Sequence, residues 1–103
     1  MTALSGKERA LLRAEANRLS PTVWVGQQGL SRSLIASLDD ALRTHELVKV
    51  KLGRTVDVTA KDAVKQLTGA TKSEAIQVIG RTATLYRHNP ELERKGDVPA
   101  WRV

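Results

Sequence analysis

Two glycines three positions apart form the local feature of this sequence with the clearest chemistry. The segment Gly26-Gln27-Gln28-Gly29 follows a short β-branched and aromatic run and precedes a helical pattern. Glycine lets the backbone approach a ligand without a Cβ in the way, and a helix N-terminus offers N–H groups that suit a phosphate. The alternative is an ordinary strand-to-helix turn, since the two central residues carry no charge.

Basic side chains lie at positions that could reinforce such a site. Arg32 falls in the first turn of the helix after the glycine segment, and Lys49 and Lys51 share one face of a predicted strand. Lys7 and Arg13 lie in the first predicted helix. These cations either face an anion or are simply solvated, which is the usual fate of lysine and arginine.

The sequence offers little that could act as a catalyst. His45 is predicted near a helix end, where an imidazole caps carbonyl groups and favours the dipole. Asp39 and Asp40 are adjacent on a helix, so their side chains diverge by about 100° and do not form a facing pair. The chain has no cysteine and no HExxH or GxSxG motif. We therefore expect no enzyme activity, no catalytic residue, no metal site and no cofactor.

The spacing of apolar residues predicts the elements that must hold these groups in place. Four strands are predicted, over Thr22–Val25, Leu47–Leu52, Ala75–Ile79 and Thr82–Arg87. Three helices are predicted, over Gly6–Arg18, from the N-cap Ser31 to about His45, and along the stripe Val56, Ala60, Ala63, Val64 and Leu67. The order α-β-α-β-α-β-β, closed by a hairpin, predicts a compact α/β domain with a mixed four-stranded sheet packed by helices.

The ends of two helices are predicted from single residues. Ser5 and Glu8 have the spacing of a capping box at the start of the first helix. Thr55 or Asp57 is the expected N-cap of the third helix, and Gly69 suits its end. These positions fix where the two helices are expected to begin and where the third one stops.

Aromatic residues are scarce in the sequence. Trp24 is expected to lie on the strand face opposite Val23 and Val25 and to pack against the protein. A surface that stacks successive bases needs several exposed aromatic rings. With only Tyr86 and Trp101 in addition, we expect no stacking platform of that multi-aromatic kind.

Charge is the informative part of the composition. The 103 residues have a net charge of +6, and residues 1–88 carry all of this excess, with fourteen Lys and Arg against eight Asp and Glu. A basic domain of this size suggests a polyanion partner, nucleic acid first and an anionic membrane second. No apolar run approaches the about twenty residues of a membrane span, so we expect no membrane protein. The missing cysteines and the basic start of the chain favour the cytoplasm.

Three motifs at compatible spacing resemble the CRM domain family. Residues 26–29 resemble its GxxG loop, and residues 45–51 resemble its second-strand signature. Residues 77–81 and 85–87 resemble its closing hairpin. The resemblance covers about residues 3–88 and is strongest to the stand-alone bacterial YhbY-type form.

The sequence departs from the family at two places. Trp24 stands where the family has an aliphatic residue before the GxxG loop, a change that affects packing. Residues 89–103 match nothing in the family. We therefore expect a CRM-like RNA-binding domain over residues 1–88 and a neutral C-terminal tail over residues 89–103.

The resemblance implies a fold similar to the C-terminal domain of bacterial translation initiation factor three, and RNA binding without catalysis. It implies ribosomal RNA in precursors of the large ribosomal subunit as the partner of a monomeric protein. The RNA-binding residues expected from the loop and the basic surface are Gly26, Gln27, Gln28, Gly29, Arg32, Lys49, Lys51, Lys7 and Arg13. The alternative function is a protein-interaction module that docks on ribosomal proteins or another assembly factor through Trp101 and the tail.

Overall fold

The computed structural model describes residues 5–26, 29–53 and 58–91, and these contain the predicted order of elements. The helices and strands are α1 (Gly6–Ala16), β1 (Val23–Val25), α2 (Arg32–His45), β2 (Leu47–Leu52), α3 (Ala60–Thr71), β3 (Glu74–Ile79) and β4 (Thr82–Tyr86). The α/β fold class and the order α-β-α-β-α-β-β are therefore confirmed.

The four strands form one mixed sheet in the order β1-β2-β4-β3. β1 and β2 are parallel neighbours, with Val23 opposite Val50 and Trp24 opposite Lys51. β4 is antiparallel to both β2 and β3. The last strand therefore lies between β2 and β3, and the crossover through α3 passes over one strand position.

One face of the sheet packs on α2 and α3 and forms the main core. Leu38 and Leu42 of α2 and Leu67 of α3 are almost completely buried against it. Val48 and Val50 point to this face, as the alternation along β2 predicts. Burial of each such aliphatic side chain stabilises the fold by about 1.5–3 kcal/mol.

The opposite face of the sheet is covered by α1 over only part of its area. Leu12 of α1 packs with Leu47, Ile76 and Tyr86 in a second, smaller cluster. Arg9 reinforces the contact, because its Nη2 donates to Glu74 Oε2 at 3.0 Å. α1 thus covers the part of this face near the start of β3.

The capping box predicted at the start of α1 is confirmed. Ser5 Oγ accepts from Glu8 N at 3.1 Å, and Ser5 N donates to Glu8 Oε1 at 3.0 Å. The hydrogen bond from the Ser5 backbone, followed by that of its side chain, lowers the pKa of the Glu8 carboxyl. Ser31 is confirmed as the cap of α2, since its Oγ accepts from Leu34 N at 3.2 Å.

The predicted ends of the third helix are wrong. α3 begins after Thr59, whose Oγ1 accepts from Asp62 N at 3.1 Å. Gly69 lies inside the helix, and the left-handed C-cap residue is Lys72, with φ of 56°. The cap at Thr59 satisfies an amide of the first turn, a role that the sequence analysis assigned to Thr55 or Asp57. Thr55 and Asp57 themselves lie outside the described residues.

The chain after β4 is fastened to the end of α2. Glu46, the C-cap residue of α2, has φ of 64° and a completely buried side chain. Its carboxylate accepts from Asn89 N at 2.5 Å, and Asn89 Nδ2 donates to Arg43 O at 2.6 Å. β4 itself ends at Tyr86, one residue before the predicted end. The division of the chain at residue 88 stays a prediction.

Candidate nucleic-acid interface

Three connecting segments meet where β1 and β2 end, and we call this the loop end of the sheet. Gly53 N donates to Val25 O, and Leu52 N donates to Arg81 O, both at 2.8 Å. The Arg81 guanidinium donates to Gly53 O at 2.7 Å. These bonds tie the β3–β4 hairpin and the exit of β2 to the last residue before the glycine segment.

The glycine segment begins at this loop end. Gly29 N donates to Gly26 O at 3.0 Å, so the two glycines close a tight turn. Gly29 has φ of +65°, a conformation that disfavours any side chain, whereas Gly26 has no such requirement. A Cβ built on Gly26 meets no protein atom within 4 Å. Gln27 and Gln28 lie outside the described residues.

The N-terminus of α2 follows the glycine segment directly. Ser31 caps it, its first turn contains no acidic residue, and Arg32 is exposed there. The partial positive charge of the helix start and the Arg32 guanidinium therefore act in the same direction. This arrangement favours an anion at the loop end.

Trp24 does not pack against the protein, so the expectation made for it is wrong. The residue is 60% exposed, although it does lie opposite the buried Val23 and Val25. Lys51 Nζ lies 5.2 Å from the centroid of the indole ring. β1 is an edge strand, and Trp24 lies on the face that α1 covers only partly, so no described element encloses the ring.

Lys49 and Lys51 share a strand face as predicted, but their ammonium groups have different environments. Lys49 is half-buried, and its Nζ donates to Ala16 O at 3.1 Å and to Leu19 O at 3.2 Å. These carbonyls belong to the end of α1 and the turn after it. Lys49 therefore holds α1 on the sheet, while Lys51 is exposed beside Trp24.

Of the two predicted basic residues of α1, Lys7 lies apart from the glycine segment. Lys7 is in the first turn of α1, close in sequence to Arg9, which contacts Glu74 at the start of β3. The loop end lies at the other end of β3, beyond Ile79. Arg13 is exposed in the last turn of α1. The structure thus brings Arg32 and Lys51 to the loop end together with Gly26 and Gly29, but not Lys7.

The uncovered part of the α1 face contains a partly open cavity of about 180 Å³. Side chains of the cavity wall include Asn17, Lys49, Gln77 and Thr84. The strand register places this wall next to Lys51, which pairs with Thr82. We call the strand residues that line or adjoin this cavity the open patch: Trp24, Lys49, Lys51, Gln77, Ile79, Thr82 and Thr84. Trp24, Lys51 and Ile79 are its exposed members, whereas Thr84 is buried at its base.

The exposure of Trp24 and Ile79 could not be predicted from the sequence. Strand alternation placed Trp24 opposite two valines, but it did not show that α1 stops short of this part of the sheet. The pairing of Trp24 with Lys51 is a register between strands, which the sequence does not show.

Other kinds of site find no support in the described residues. Within residues 5–26, 29–53 and 58–91, no three His, Asp or Glu side chains are grouped so as to hold a metal ion. In the same ranges, no helix is long and apolar enough to cross a membrane.

Comparison with known proteins places the chain among nucleic-acid-binding relatives. The model of the CRS1 / YhbY (CRM) domain family matches residues 4–87. A Haemophilus influenzae protein named as an RNA-binding protein is 35% identical over 96% of this chain and 98% of its own length. The Bacillus subtilis protein YqeI, named as a probable RNA-binding protein, is 32% identical over 85% of this chain and 92% of its own.

A solved structure agrees with the fold. The solution structure of the hypothetical protein SAV1595 from Staphylococcus aureus superimposes with a TM-score of 0.70. It is 32% identical in sequence and covers 84% of this chain and 91% of that protein. The relatives named above carry names of RNA-binding proteins, and neither name is that of an enzyme.

Proposed function

Since the chain belongs to the CRS1 / YhbY (CRM) domain family, we propose that it binds RNA and catalyses no reaction. Its ligand is ribosomal RNA, bound during maturation of the large ribosomal subunit in the cytoplasm. The names of its relatives support the RNA-binding part of this proposal. The net charge of +6 supports a polyanionic ligand.

The observation that carries the proposal is the loop end of the sheet. The turn from Gly26 to Gly29 leads into the start of α2. Arg32 is exposed in the first turn of this helix, and the same turn contains no acidic residue. Amides at this turn and helix start donate to phosphate oxygens, and the empty space around Gly26 lets a sugar-phosphate backbone come close.

The mechanism combines backbone recognition with charge neutralisation. Arg32 and Lys51 supply exposed cations beside the loop end, which also contains the Arg81 guanidinium, and Lys49 extends the charge along β2. If about four to six phosphates are neutralised in all, the log–log slope of affinity against salt for single-stranded RNA is about −3 to −4. The ligand is then selected by its shape and by the few groups that reach its bases.

The test is fluorescence-anisotropy binding to fragments of large-subunit ribosomal RNA, titrated with salt. We expect tight and salt-sensitive binding that double-stranded DNA competes for poorly. Binding that ignores salt would contradict phosphate recognition. Weak binding that DNA competes for equally well would mean that the protein binds polyanions non-specifically through its charge. The alternative function, binding to a protein partner, would then be favoured.

The loop itself is tested by Gly26→Ala and Gly26→Val. A Cβ at position 26 meets no protein atom within 4 Å, so we expect both variants to fold. We expect affinity to fall from glycine to alanine to valine, because the added groups occupy the space of the approaching backbone. A folded Gly26→Val protein with unchanged affinity would remove the loop from the interface.

A further inference from the structure

The open patch contains an aromatic ring, that of Trp24, which belongs to neither hydrophobic cluster of the fold. Trp24 is 60% exposed, and Ile79, at the other edge of the sheet, is 63% exposed. The register aligns Trp24, Lys51, Thr82 and Ile79 in one row across the four strands. Adjacent strands are about 4.8 Å apart, so the row is about 14 Å long.

We propose that the open patch binds an unpaired RNA base, stacked on the indole of Trp24, with a flanking phosphate on Lys51. The inference rests on the RNA binding proposed above and adds a base contact to the phosphate contacts of the loop end. Trp24 and Lys51 lie two residues before Gly26 and Gly53, so the open patch adjoins that end. A strand that leaves the glycine turn can therefore reach it.

The geometry at Trp24 suits stacking by one base. Lys51 Nζ lies over one face of the ring at 5.2 Å from its centroid, which leaves the opposite face as the platform. An indole offers a large π surface, and any base can stack on it irrespective of sequence. A single ring with a cation beside it binds one nucleotide, unlike the multi-aromatic platforms that the composition argues against.

The charge of the open patch favours RNA over a protein partner. It contains Lys49 and Lys51, and none of its residues is acidic. Among the residues of the four strands the acidic one is Glu74 at the start of β3, and its carboxylate is paired with Arg9 of α1. A positive surface with one exposed aromatic ring complements the phosphates and bases of a nucleotide strand.

The cavity next to Lys51 fits a second, polar part of the ligand. Its volume of about 180 Å³ is far more than the about 30 Å³ that one water molecule occupies in the liquid. Gln77, Asn17 and Thr82 give it both donors and acceptors. Gln77 Nε2 donates to Asn17 Oδ1 at 3.4 Å, and the remaining donors and acceptors of these groups can bond the edge of a base or a ribose hydroxyl, which an apolar anchor of a protein could not satisfy.

The experiment compares the binding of three probes by the Trp24→Leu, Trp24→Phe and wild-type proteins. The probes are an RNA hairpin with an unpaired loop, a blunt RNA duplex, and inorganic polyphosphate as an anion without bases. We expect Trp24→Leu to weaken hairpin binding about 5- to 150-fold, the usual contribution of one stacked base. Duplex and polyphosphate binding should change little, and Trp24→Phe should retain part of the hairpin affinity because it keeps an aromatic ring.

Val78→Ala is the matched control. Val78 is also an exposed apolar residue, at 44%, but it lies on the opposite face of β3 from Ile79. We expect it to bind all three probes as the original protein does. A second readout is the fluorescence of Trp24 in a Trp101→Phe background, where it is the remaining tryptophan of two. Hairpin RNA should quench it and polyphosphate should not.

Failure of this inference is distinguishable from failure of the proposed function. If Gly26→Val weakens hairpin binding and Trp24→Leu does not, the proposed base contact is wrong and the proposed function stands. The exposed indole of Trp24 would then be assigned to a contact with a protein. An equal loss for hairpin and polyphosphate would also overturn stacking, because the effect would then be electrostatic. If the original protein shows no salt-sensitive RNA binding, the proposed function fails and the inference with it.

Discussion

Arg87, the first residue after β4, donates from Nη1 to Oδ1 of Asp39 on α2 at 2.6 Å. The same nitrogen donates to Thr71 O at 2.8 Å, and Nη2 donates to Asp39 O at 3.0 Å. One half-buried guanidinium therefore joins the end of β4, an inner strand of the sheet, to α2 and to the last residue of α3. Charge-assisted bonds of this kind are the stronger ones in proteins.

Replacing Arg87 with methionine should lower the free energy of unfolding by about 1.5–3 kcal/mol, because the carboxylate of Asp39 and the carbonyl of Thr71 lose a charged donor. Urea denaturation measures the effect. Arg43→Met is the control, since Arg43 also pairs with Asp39 and Asp40 but is mostly exposed. That change should cost less than about 1 kcal/mol. Equal losses for the two variants would contradict a special role of Arg87.

Substitution of Lys49 should mainly lower stability, whereas substitution of Lys51 should mainly weaken RNA binding. Lys49→Met should destabilise the protein by about 1–3 kcal/mol, because the carbonyls of Ala16 and Leu19 lose their donor. Lys51→Met should leave stability nearly unchanged and should reduce the salt slope for single-stranded RNA by about 0.7, the share of one phosphate contact. Thermal unfolding and salt-titrated anisotropy measure the two effects. A larger loss of stability from Lys51→Met than from Lys49→Met would reverse this assignment.

The two glycines of the loop should respond differently to alanine. Gly29→Ala forces a side chain into the left-handed region, where φ is +65°, and should cost about 1 kcal/mol of stability. Gly26→Ala introduces no such strain and should leave stability unchanged or slightly raised. Parallel urea titrations of the two variants give the comparison. Equal destabilisation would mean that Gly26 also needs an unusual backbone conformation.

The capping box should make the stability of α1 depend on acid. The hydrogen bonds from the Ser5 backbone and side chain hold the pKa of the Glu8 carboxyl below its ordinary value in the folded state, so the stabilisation is present at neutral pH. It should be lost as the pH falls through the lowered folded value, because the protonated carboxyl no longer accepts well from Ser5 N. Glu8→Gln should flatten this part of the pH profile. Helix content followed by circular dichroism between neutral and acidic pH measures it, and identical profiles for both proteins would contradict the prediction.

Local patterns in the sequence were sufficient for the elements of the fold. Ser5 with Glu8 marked the start of α1, and the alternation of Val48 and Val50 with Lys49 and Lys51 identified β2 and its faces. Such signals act within one turn or one strand, where neighbours in sequence are neighbours in space. The mixed character of the sheet followed from the helical crossover and the hairpin.

What the sequence did not show depends on contacts between distant elements. The periodicity of β4 is the same whether it lies at an edge or in the centre, so its place beside β2 could not be predicted. Lys49 is bound by carbonyls about 30 residues earlier in the chain, and nothing in its strand signals them. The sequence predicts a packed Trp24, but its burial depends on how far α1 extends over the sheet, which the strand pattern does not show. For the same reason the loop glycines could be proposed as a site, while the open patch could not.

The position of β4 in the sheet has a consequence for how the chain folds. β2 and β3 share no hydrogen bonds with each other, and the strand that joins them is the last one synthesised. Until residue 86 is available, the β1–β2 pair has an unpaired inner edge and the larger core lacks Ala83 and Leu85. Completion of the domain is therefore a late event during synthesis, and a nascent chain that stalls before β4 exposes an edge prone to aggregation.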